Sequence, residues 1–191
     1  MRMRIWRWFW WAWQQRRCSN LLLKEKLLPH YPSALLADLL LNRQWMLANA
    51  ESCTGGLIAA ACTDLAGSSQ WFERGFVTYS NAAKTAQLGV DASLIERDGA
   101  VSEAVVRAMA QGALAHSLAQ VAVAVTGVAG PGGGSAAKPV GTVWLAWALP
   151  QGTVSEVQHF AGDRAAVRAA TVHHALLRLV HLLQNAPGAA C

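Results

Sequence analysis

The sequence lacks the features that mark zinc-binding, disulfide-stabilised or membrane-spanning proteins. Its four cysteines show no CxxC spacing and no accompanying histidine pattern, which argues against a zinc site and favours reduced thiols in a cytoplasmic protein. No apolar run reaches the roughly 18 residues that a membrane span needs. Charged residues make up only 14% of the 191 residues and hydrophobic residues 53%, so a folded core is expected rather than disorder.

Acidic residues are absent from the first 17 positions, which hold five arginines and five of the nine tryptophans. The rest of the chain has 11 basic and 11 acidic residues, so the net charge of +5 belongs to this segment. A nucleic-acid partner is therefore not expected. Interleaved Arg and Trp can contact a membrane interface, and this alternative stays open for residues 1–17. The favoured interpretation is a disordered extension or a misassigned start over residues 1–30, followed by one domain (31–186) and a tail (187–191).

Hydrophobic patterning predicts alternating helices and strands. Helices are expected over 33–43 (with Ser33 as N-cap), 54–67, 82–89, 102–120 and 164–184, and strands over 45–50, 75–80, 121–127, 141–149 and 153–160. This alternation predicts an α/β domain with a largely buried sheet. The last two strands are separated by three turn residues and should form a hairpin, so the sheet is expected to be mixed. Ligands of such sheets bind beyond the carboxyl ends of strands.

The first such junction is "AESCTGG", residues 50–56. Ser52 lies between a strand and a helix, where it could attack a carbonyl carbon while nearby backbone amides stabilise the oxyanion. Gly55 and Gly56 would allow a ligand to approach the backbone. The alternative is that Ser52 or Thr54 only caps the helix. Cys53 is a rival nucleophile, because a thiol at a helix N-terminus has a lowered pKa.

The second junction, "VTYSNAAKTAQLGV", brings Tyr79, Asn81 and Lys84 within six residues. A lysine can serve as the base for a serine if burial lowers its pKa, and a tyrosine hydroxyl can relay a proton. An ordinary exposed lysine is the alternative. Asn81 is the expected cap of the following helix.

The third junction, "VTGVAGPGGGSAAKPVGTV", is rich in glycine between Gly127 and Gly134. Such a loop can surround a phosphate with backbone N–H groups, and Lys138 could add positive charge. The loop has neither the ending of a P-loop nor the dinucleotide-binding glycine pattern, which disfavours a nucleoside triphosphatase. A flexible surface loop is the alternative.

Together with "GAVSEAVVRAMAQGA", these segments resemble the CinA C-terminal domain family, the nicotinamide-nucleotide amidases, from about Leu35 to about Leu183. The resemblance implies a three-layer α/β/α sandwich with a mixed, mostly parallel sheet. It also implies deamidation of nicotinamide mononucleotide to nicotinate mononucleotide and ammonia, in pyridine nucleotide salvage. Family members are often fused to an N-terminal domain, and this chain resembles the stand-alone form. Among small departures from the family pattern, Asn49 stands where Thr is common.

The resemblance suggests Ser52 as nucleophile, assisted by Tyr79 and Lys84. The expected substrate-binding residues are the small and polar residues of the three junctions, namely Thr54, Gly55, Gly56, Asn81, Thr126, Gly127, Gly130, Gly132, Gly133, Gly134 and Lys138. No cofactor and no metal are expected, and the expected partners are the nucleotide substrate and a second copy in a homodimer. The alternative function is that of a non-catalytic nucleotide-binding or competence/damage-inducible regulatory protein with the same fold.

Overall fold

The computed structural model describes residues 31–185, which contain six α-helices, five β-strands and a short 3₁₀ turn at Ser68–Gln70. In chain order the elements are α1 (Tyr31–Arg43), β1 (Leu47–Glu51), α2 (Leu57–Thr63), β2 (Phe72–Val77), α3 (Asn81–Leu88), α4 (Ala92–Asp98), α5 (Glu103–Ala115), β3 (Val121–Gly127), β4 (Thr142–Leu149), β5 (Gly152–His159) and α6 (Arg164–Gln184). No helix within this range is both long and apolar enough to cross a membrane. The expected N-terminal extension and the tail lie outside the described residues.

The five strands form one mixed sheet in the order β2-β1-β3-β4-β5. Strand β1 pairs in parallel with β2 and with β3, whereas β4 pairs antiparallel with β3 and with β5. Four strands therefore run in one direction and β4 runs against them. The predicted mixed, mostly parallel sheet and the β4–β5 hairpin are confirmed.

Helices cover both faces of the sheet, because the central strands are apolar on both sides. One buried cluster joins α1, α2 and α6 to the sheet through residues such as Leu36, Ile58 and Leu176. The other joins α3, α4 and α5 through Leu88, Ile95 and Met109. Alternate residues of β1 point to opposite clusters. The predicted α/β/α sandwich is thus confirmed.

Several element boundaries differ from the predictions. Helix α1 begins at Tyr31 and encloses the buried Ser33, so the prediction that Ser33 caps this helix is wrong. Ser80, and not Asn81, caps α3: its hydroxyl accepts a hydrogen bond from the Ala83 amide at 3.1 Å. Helix α4 was not predicted, although Asp91 supplies an ordinary N-cap by accepting from the Ser93 amide.

Candidate active site

The carboxyl ends of β1, β2 and β3 meet at one edge of the sheet, because these strands are parallel neighbours. The Ser52 amide donates to the Val125 carbonyl oxygen of β3 (3.1 Å), and the Thr78 amide donates to the Glu51 carbonyl oxygen (2.8 Å). These bonds extend the sheet pairing past the end of β1. They fix the backbone of Ser52 within the frame of three strands.

Lys84 contacts Ser52 directly. Its Nζ lies 3.2 Å from Ser52 Oγ and donates to the Thr78 carbonyl oxygen at 2.8 Å. Lys84 is placed there by α3, which starts immediately after the turn that follows β2. The structure therefore brings together two of the three residues expected to be catalytic.

The environment of Lys84 favours a neutral amine. The side chain is only 1% exposed, and none of the ion pairs among residues 31–185 involves it. Burial lowers the pKa of the Lys84 ammonium below its ordinary value of 10.5. A neutral amine next to a serine hydroxyl can accept the hydroxyl proton, which is the requirement for a base that activates a nucleophile.

Tyr79, the third expected catalytic residue, does not hydrogen-bond with Ser52 or Lys84. Its side chain is 60% exposed, and its hydroxyl oxygen accepts from Arg164 Nη2 at 2.8 Å. The same guanidinium donates through Nη1 to the Gly130 carbonyl oxygen at 2.9 Å. Arg164, from the first turn of α6, therefore links Tyr79 to the glycine-rich loop.

The backbone amides at the start of α2 are occupied by Glu51. Its buried carboxylate accepts from the amides of Gly56, Ile58 and Ala59 at 2.9–3.1 Å, and the Gly55 amide donates to the Ser52 carbonyl oxygen. The Gly55 and Gly56 amides are therefore engaged within the protein, and the substrate-binding role expected for these two residues stays a prediction.

The side chain and carbonyl group of Thr54 are also used within the protein. The buried hydroxyl donates to Glu51 Oε2 at 2.7 Å, and the carbonyl oxygen accepts from Arg168 Nη2 at 2.7 Å. Thr54 is thus buried and hydrogen-bonded within the protein, and its expected contact with the substrate stays a prediction.

Cys53 is a poor alternative nucleophile. Its side chain is buried, and burial raises the pKa of the thiol to about 11. The expectation that the start of a helix lowers this pKa is wrong, because desolvation is the larger effect and Glu51 adds negative charge nearby. At neutral pH the thiol stays protonated and weakly nucleophilic.

The glycine-rich loop contains both fixed and open positions. A Cβ on Gly127 would lie 2.7 Å from the Thr142 carbonyl oxygen, so this position has no room for a side chain. The Thr126 hydroxyl donates to the Ala100 carbonyl oxygen at 2.8 Å. Of the loop glycines, Gly132, Gly133 and Gly134 are exposed and therefore accessible to a ligand.

The other two polar residues expected to bind substrate form no hydrogen bond with Ser52 or Lys84. Lys138 Nζ donates to the Asp98 carbonyl oxygen at 3.3 Å and remains partly exposed. Asn81 is exposed in the first turn of α3. No group of three or more His, Cys, Asp or Glu side chains within residues 31–185 could hold a metal ion.

Sequence reasoning missed Glu51, Arg164 and the carbonyl group of Thr78. Glu51 is part of the first motif, but no role was predicted for it from the sequence. The available signal was an acidic residue at the end of a buried strand. Arg164 lies 80 residues after Lys84, and nothing local marks it as a neighbour of Tyr79. Carbonyl groups carry no residue-specific signal at all.

Known proteins resemble this chain over most of its length. A family model described as the CinA C-terminal domain matches residues 31–183. Nicotinamide-nucleotide amidohydrolase PncC of Enterobacter agglomerans is 57% identical over 147 residues, which are 76% of this chain and 89% of that protein. The protein of the same name from Pseudomonas putida is 62% identical over 133 residues, 70% of this chain and 83% of that protein. The crystal structure of competence/damage inducible protein CihA from Agrobacterium tumefaciens has a TM-score of 0.77 and 46% identity, and the match covers 81% of this chain and 94% of that one.

Proposed function

Because the chain belongs to the CinA C-terminal domain family, we propose that it hydrolyses the carboxamide of nicotinamide mononucleotide to nicotinate mononucleotide and ammonia. The substrate is proposed from the relatives named nicotinamide-nucleotide amidohydrolase, of which the chain spans more than four fifths. The observation that carries the reaction type is the 3.2 Å contact between Lys84 Nζ and Ser52 Oγ.

In the first half of the proposed reaction, Lys84 acts as a neutral amine. One of its N–H groups donates to the Thr78 carbonyl oxygen, which leaves the nitrogen lone pair free to face Ser52. Lys84 takes the Ser52 proton as Oγ bonds to the carboxamide carbon. The resulting ammonium lies beside the tetrahedral intermediate and stabilises its negative charge. When the C–N bond breaks, the proton passes from Lys84 to the departing ammonia, which leaves an ester on Ser52.

In the second half, water resolves the acyl-enzyme. Lys84, neutral again, takes a proton from a water molecule whose oxygen attacks the ester carbon. The C–O bond to Ser52 breaks, and Lys84 returns the proton to Ser52 Oγ. One water is consumed, and nicotinate mononucleotide is released as the carboxylic acid, which then gives its proton to the solvent. The two halves together conserve the charge state of the enzyme.

The phosphate of the substrate is proposed to bind at the glycine-rich loop. The exposed Gly132–Gly134 backbone and the partly exposed Lys138 offer N–H donors and positive charge. Arg164 adds a guanidinium at the same loop, through its bond to Gly130. We also propose that the pocket is shaped by Asn81, Thr126 and Gly127.

Tyr79 is proposed to assist at the open side of the site. Its exposed hydroxyl is held by the Arg164 guanidinium, which leaves the phenolic proton free to be donated. A substrate bound between the loop and Ser52 would meet this hydroxyl. The proposed role is to orient the substrate and to relay a proton, while Lys84 remains the base.

The wider setting also stays a proposal. Cys53 and Cys62 are free thiols, which fits a reducing cytoplasm. The proposed reaction would serve pyridine nucleotide salvage, as the family resemblance implies. Strands β2 and β5 are the two edges of the sheet, and such an edge could pair with a second copy in a homodimer. Light scattering after size-exclusion chromatography measures the mass in solution.

Ammonia release from nicotinamide mononucleotide tests the proposal. Wild type should release ammonia, Ser52→Ala should lose nearly all of that activity, and Cys53→Ala should keep it. Equal ammonia release by wild type and Ser52→Ala would show that another residue is the nucleophile. A folded wild type that binds the nucleotide without releasing ammonia would support the regulatory alternative.

A further inference from the structure

Glu51 is a fully buried acidic residue that immediately precedes Ser52 in the chain. Its two carboxylate oxygens accept five hydrogen bonds from within the protein. Oε1 accepts from Asn49 Nδ2 and the Ala59 amide, both at 2.9 Å. Oε2 accepts from the Thr54 hydroxyl at 2.7 Å and from the amides of Gly56 and Ile58 at 2.9 and 3.1 Å. All five partners donate to Glu51, which suits a side chain with two acceptor oxygens.

These bonds surround the turn that carries Ser52. Asn49 lies before Ser52 on β1, Thr54 and Gly56 lie just after it, and Ile58 and Ala59 begin α2. The Glu51 carboxylate therefore connects the strand, the turn and the helix through hydrogen bonds. Ser52 lies between the tied positions, so the direction of its side chain depends on where the carboxylate holds them.

The main chain of Glu51 reaches the base as well. Its carbonyl oxygen accepts from the Thr78 amide at 2.8 Å, and the Thr78 carbonyl oxygen accepts from Lys84 Nζ at 2.8 Å. The positions of both Ser52 and Lys84 thus depend on hydrogen bonds that involve Glu51. A shift of Glu51 would change the 3.2 Å separation between the two reacting groups.

We infer that Glu51 is a positioning residue, whose carboxylate holds the Ser52 turn at the separation from Lys84 that proton transfer requires. The inference rests on the proposed function in that Ser52 is the nucleophile and Lys84 its base. Glu51 is enclosed by protein donors and has no exposed surface for the substrate. Its loss should therefore affect the chemical step more than substrate binding.

Comparison of Glu51→Gln with wild type by two readouts tests this inference. The first is kcat and KM for nicotinamide mononucleotide. The second is the rate at which a small fluorophosphonate labels Ser52, a reaction in which the P–F bond breaks, an O–P bond forms, and the base takes the serine proton. This probe needs no nucleotide pocket, so it reports on nucleophile and base alone. The folded fraction is measured by circular dichroism and used to correct both rates.

Glutamine places an NH₂ group where one carboxylate oxygen accepted hydrogen bonds. Asn49 can turn its amide toward it, because Asn49 Oδ1 has no hydrogen-bond partner, but the Ala59 amide then faces a donor. We expect kcat to fall by about 10²-fold, as for a displacement of about 1 Å at a reacting group. KM should change little, and the labelling rate should fall in parallel with kcat. A folded Glu51→Gln with wild-type kcat and labelling rate, or with a change in KM alone, would overturn the inference.

A second set of variants covers the case in which Glu51→Gln does not fold. Thr54→Val removes one of the five donors with little change of shape, and Thr54→Ser keeps the hydroxyl. Thr63→Val is the matched control, because its hydroxyl bonds only to carbonyl groups of its own helix. We expect slower Ser52 labelling in Thr54→Val, a faster rate in Thr54→Ser than in Thr54→Val because the donor is kept, and the wild-type rate in Thr63→Val. Equal rates in Thr54→Val and Thr63→Val would contradict the inference.

The two proposals can fail separately. If wild type releases no ammonia but Ser52 is labelled at a rate that depends on Glu51, the substrate assignment fails and the positioning role stands. If Ser52 of wild type is not labelled and Ser52→Ala still releases ammonia, Ser52 is not the nucleophile and the positioning role is overturned.

Discussion

Lys84 Nζ lies 3.2 Å from Ser52 Oγ, although 32 residues separate the two in the chain. Ser52 follows β1, and Lys84 lies in the helix that follows the neighbouring parallel strand β2. The contact therefore follows from parallel pairing of two strands and from the short turn between β2 and α3. The lysine is buried and forms no ion pair with an acidic residue among residues 31–185, which favours the proposed role as a base over that of an ordinary surface charge.

Removal of this amine should abolish most of the activity. We expect Lys84→Met to lower kcat/KM by about 10²–10⁴-fold, the usual contribution of a positioned acid–base group. Lys84→Arg should be equally impaired, because a guanidinium keeps the charge but cannot accept a proton at accessible pH. Steady-state ammonia release measures both. Near-wild-type turnover in Lys84→Arg would show that the charge, and not proton transfer, matters.

The pH dependence of activity should follow the lowered pKa of Lys84. In the proposed mechanism the active form carries a neutral amine, so kcat/KM should rise with pH through the pKa of Lys84 in the free enzyme. Since burial lowers this pKa, the midpoint of the rise should lie below 10.5. A pH–rate profile measured within the range of folded protein checks this. A rising limb centred at or above 10.5 would contradict it.

Stability should also depend on pH through Lys84. Between its lowered pKa in the folded state and its ordinary pKa in the unfolded chain, the unfolded state binds more protons. Wild type should therefore become more stable as pH rises through this window, by at most about 1.4 kcal/mol per pH unit. Lys84→Met should lack this contribution. Urea denaturation of both proteins over a pH series provides the comparison, and parallel curves would argue against the effect.

Arg164 should contribute mainly to substrate binding. Arg164→Met removes the donors to Tyr79 and Gly130, and a charge-assisted hydrogen bond is worth about 1.5–3 kcal/mol. We expect KM to rise about 10- to 100-fold with a smaller change in kcat. Arg97→Met is the control, because that guanidinium forms an exposed ion pair with Asp98 on α4. Equal KM values for Arg164→Met and Arg97→Met would show that Arg164 does not contribute to substrate binding.

Gly112 should not tolerate alanine, although alanine normally favours a helix. A Cβ at this position of α5 would collide with the carbonyl oxygen of Leu88 and lie 2.9 Å from its Cβ. We expect Gly112→Ala to lower the free energy of unfolding by about 1–3 kcal/mol, as overpacking does. Gln111→Ala, at the exposed neighbouring position, should change it by less than about 0.5 kcal/mol. Chemical denaturation measures both, and a stabilised Gly112→Ala would contradict the packing.

Family membership, expected from four motifs in the sequence, is confirmed by the family model over residues 31–183. The sequence by itself also determined the long, regular elements. Strand β3 and helix α6 match their predicted bounds, because a continuous apolar run and a long helical period depend on local pattern alone. The short helix α4 was missed, since seven residues carry little periodicity.

The chemistry of the site was decided by tertiary structure. Sequence could propose Ser52 and Lys84, but only the packing of β1 beside β2 brought them together and buried the lysine. The same burial raised the pKa of the Cys53 thiol, where local position at a helix start suggested the opposite. The backbone amides at the start of α2, which the first motif suggested were accessible to a ligand, donate instead to the Glu51 carboxylate. Local sequence fixes which groups are present, whereas desolvation and hydrogen-bond partners depend on residues distant in the chain.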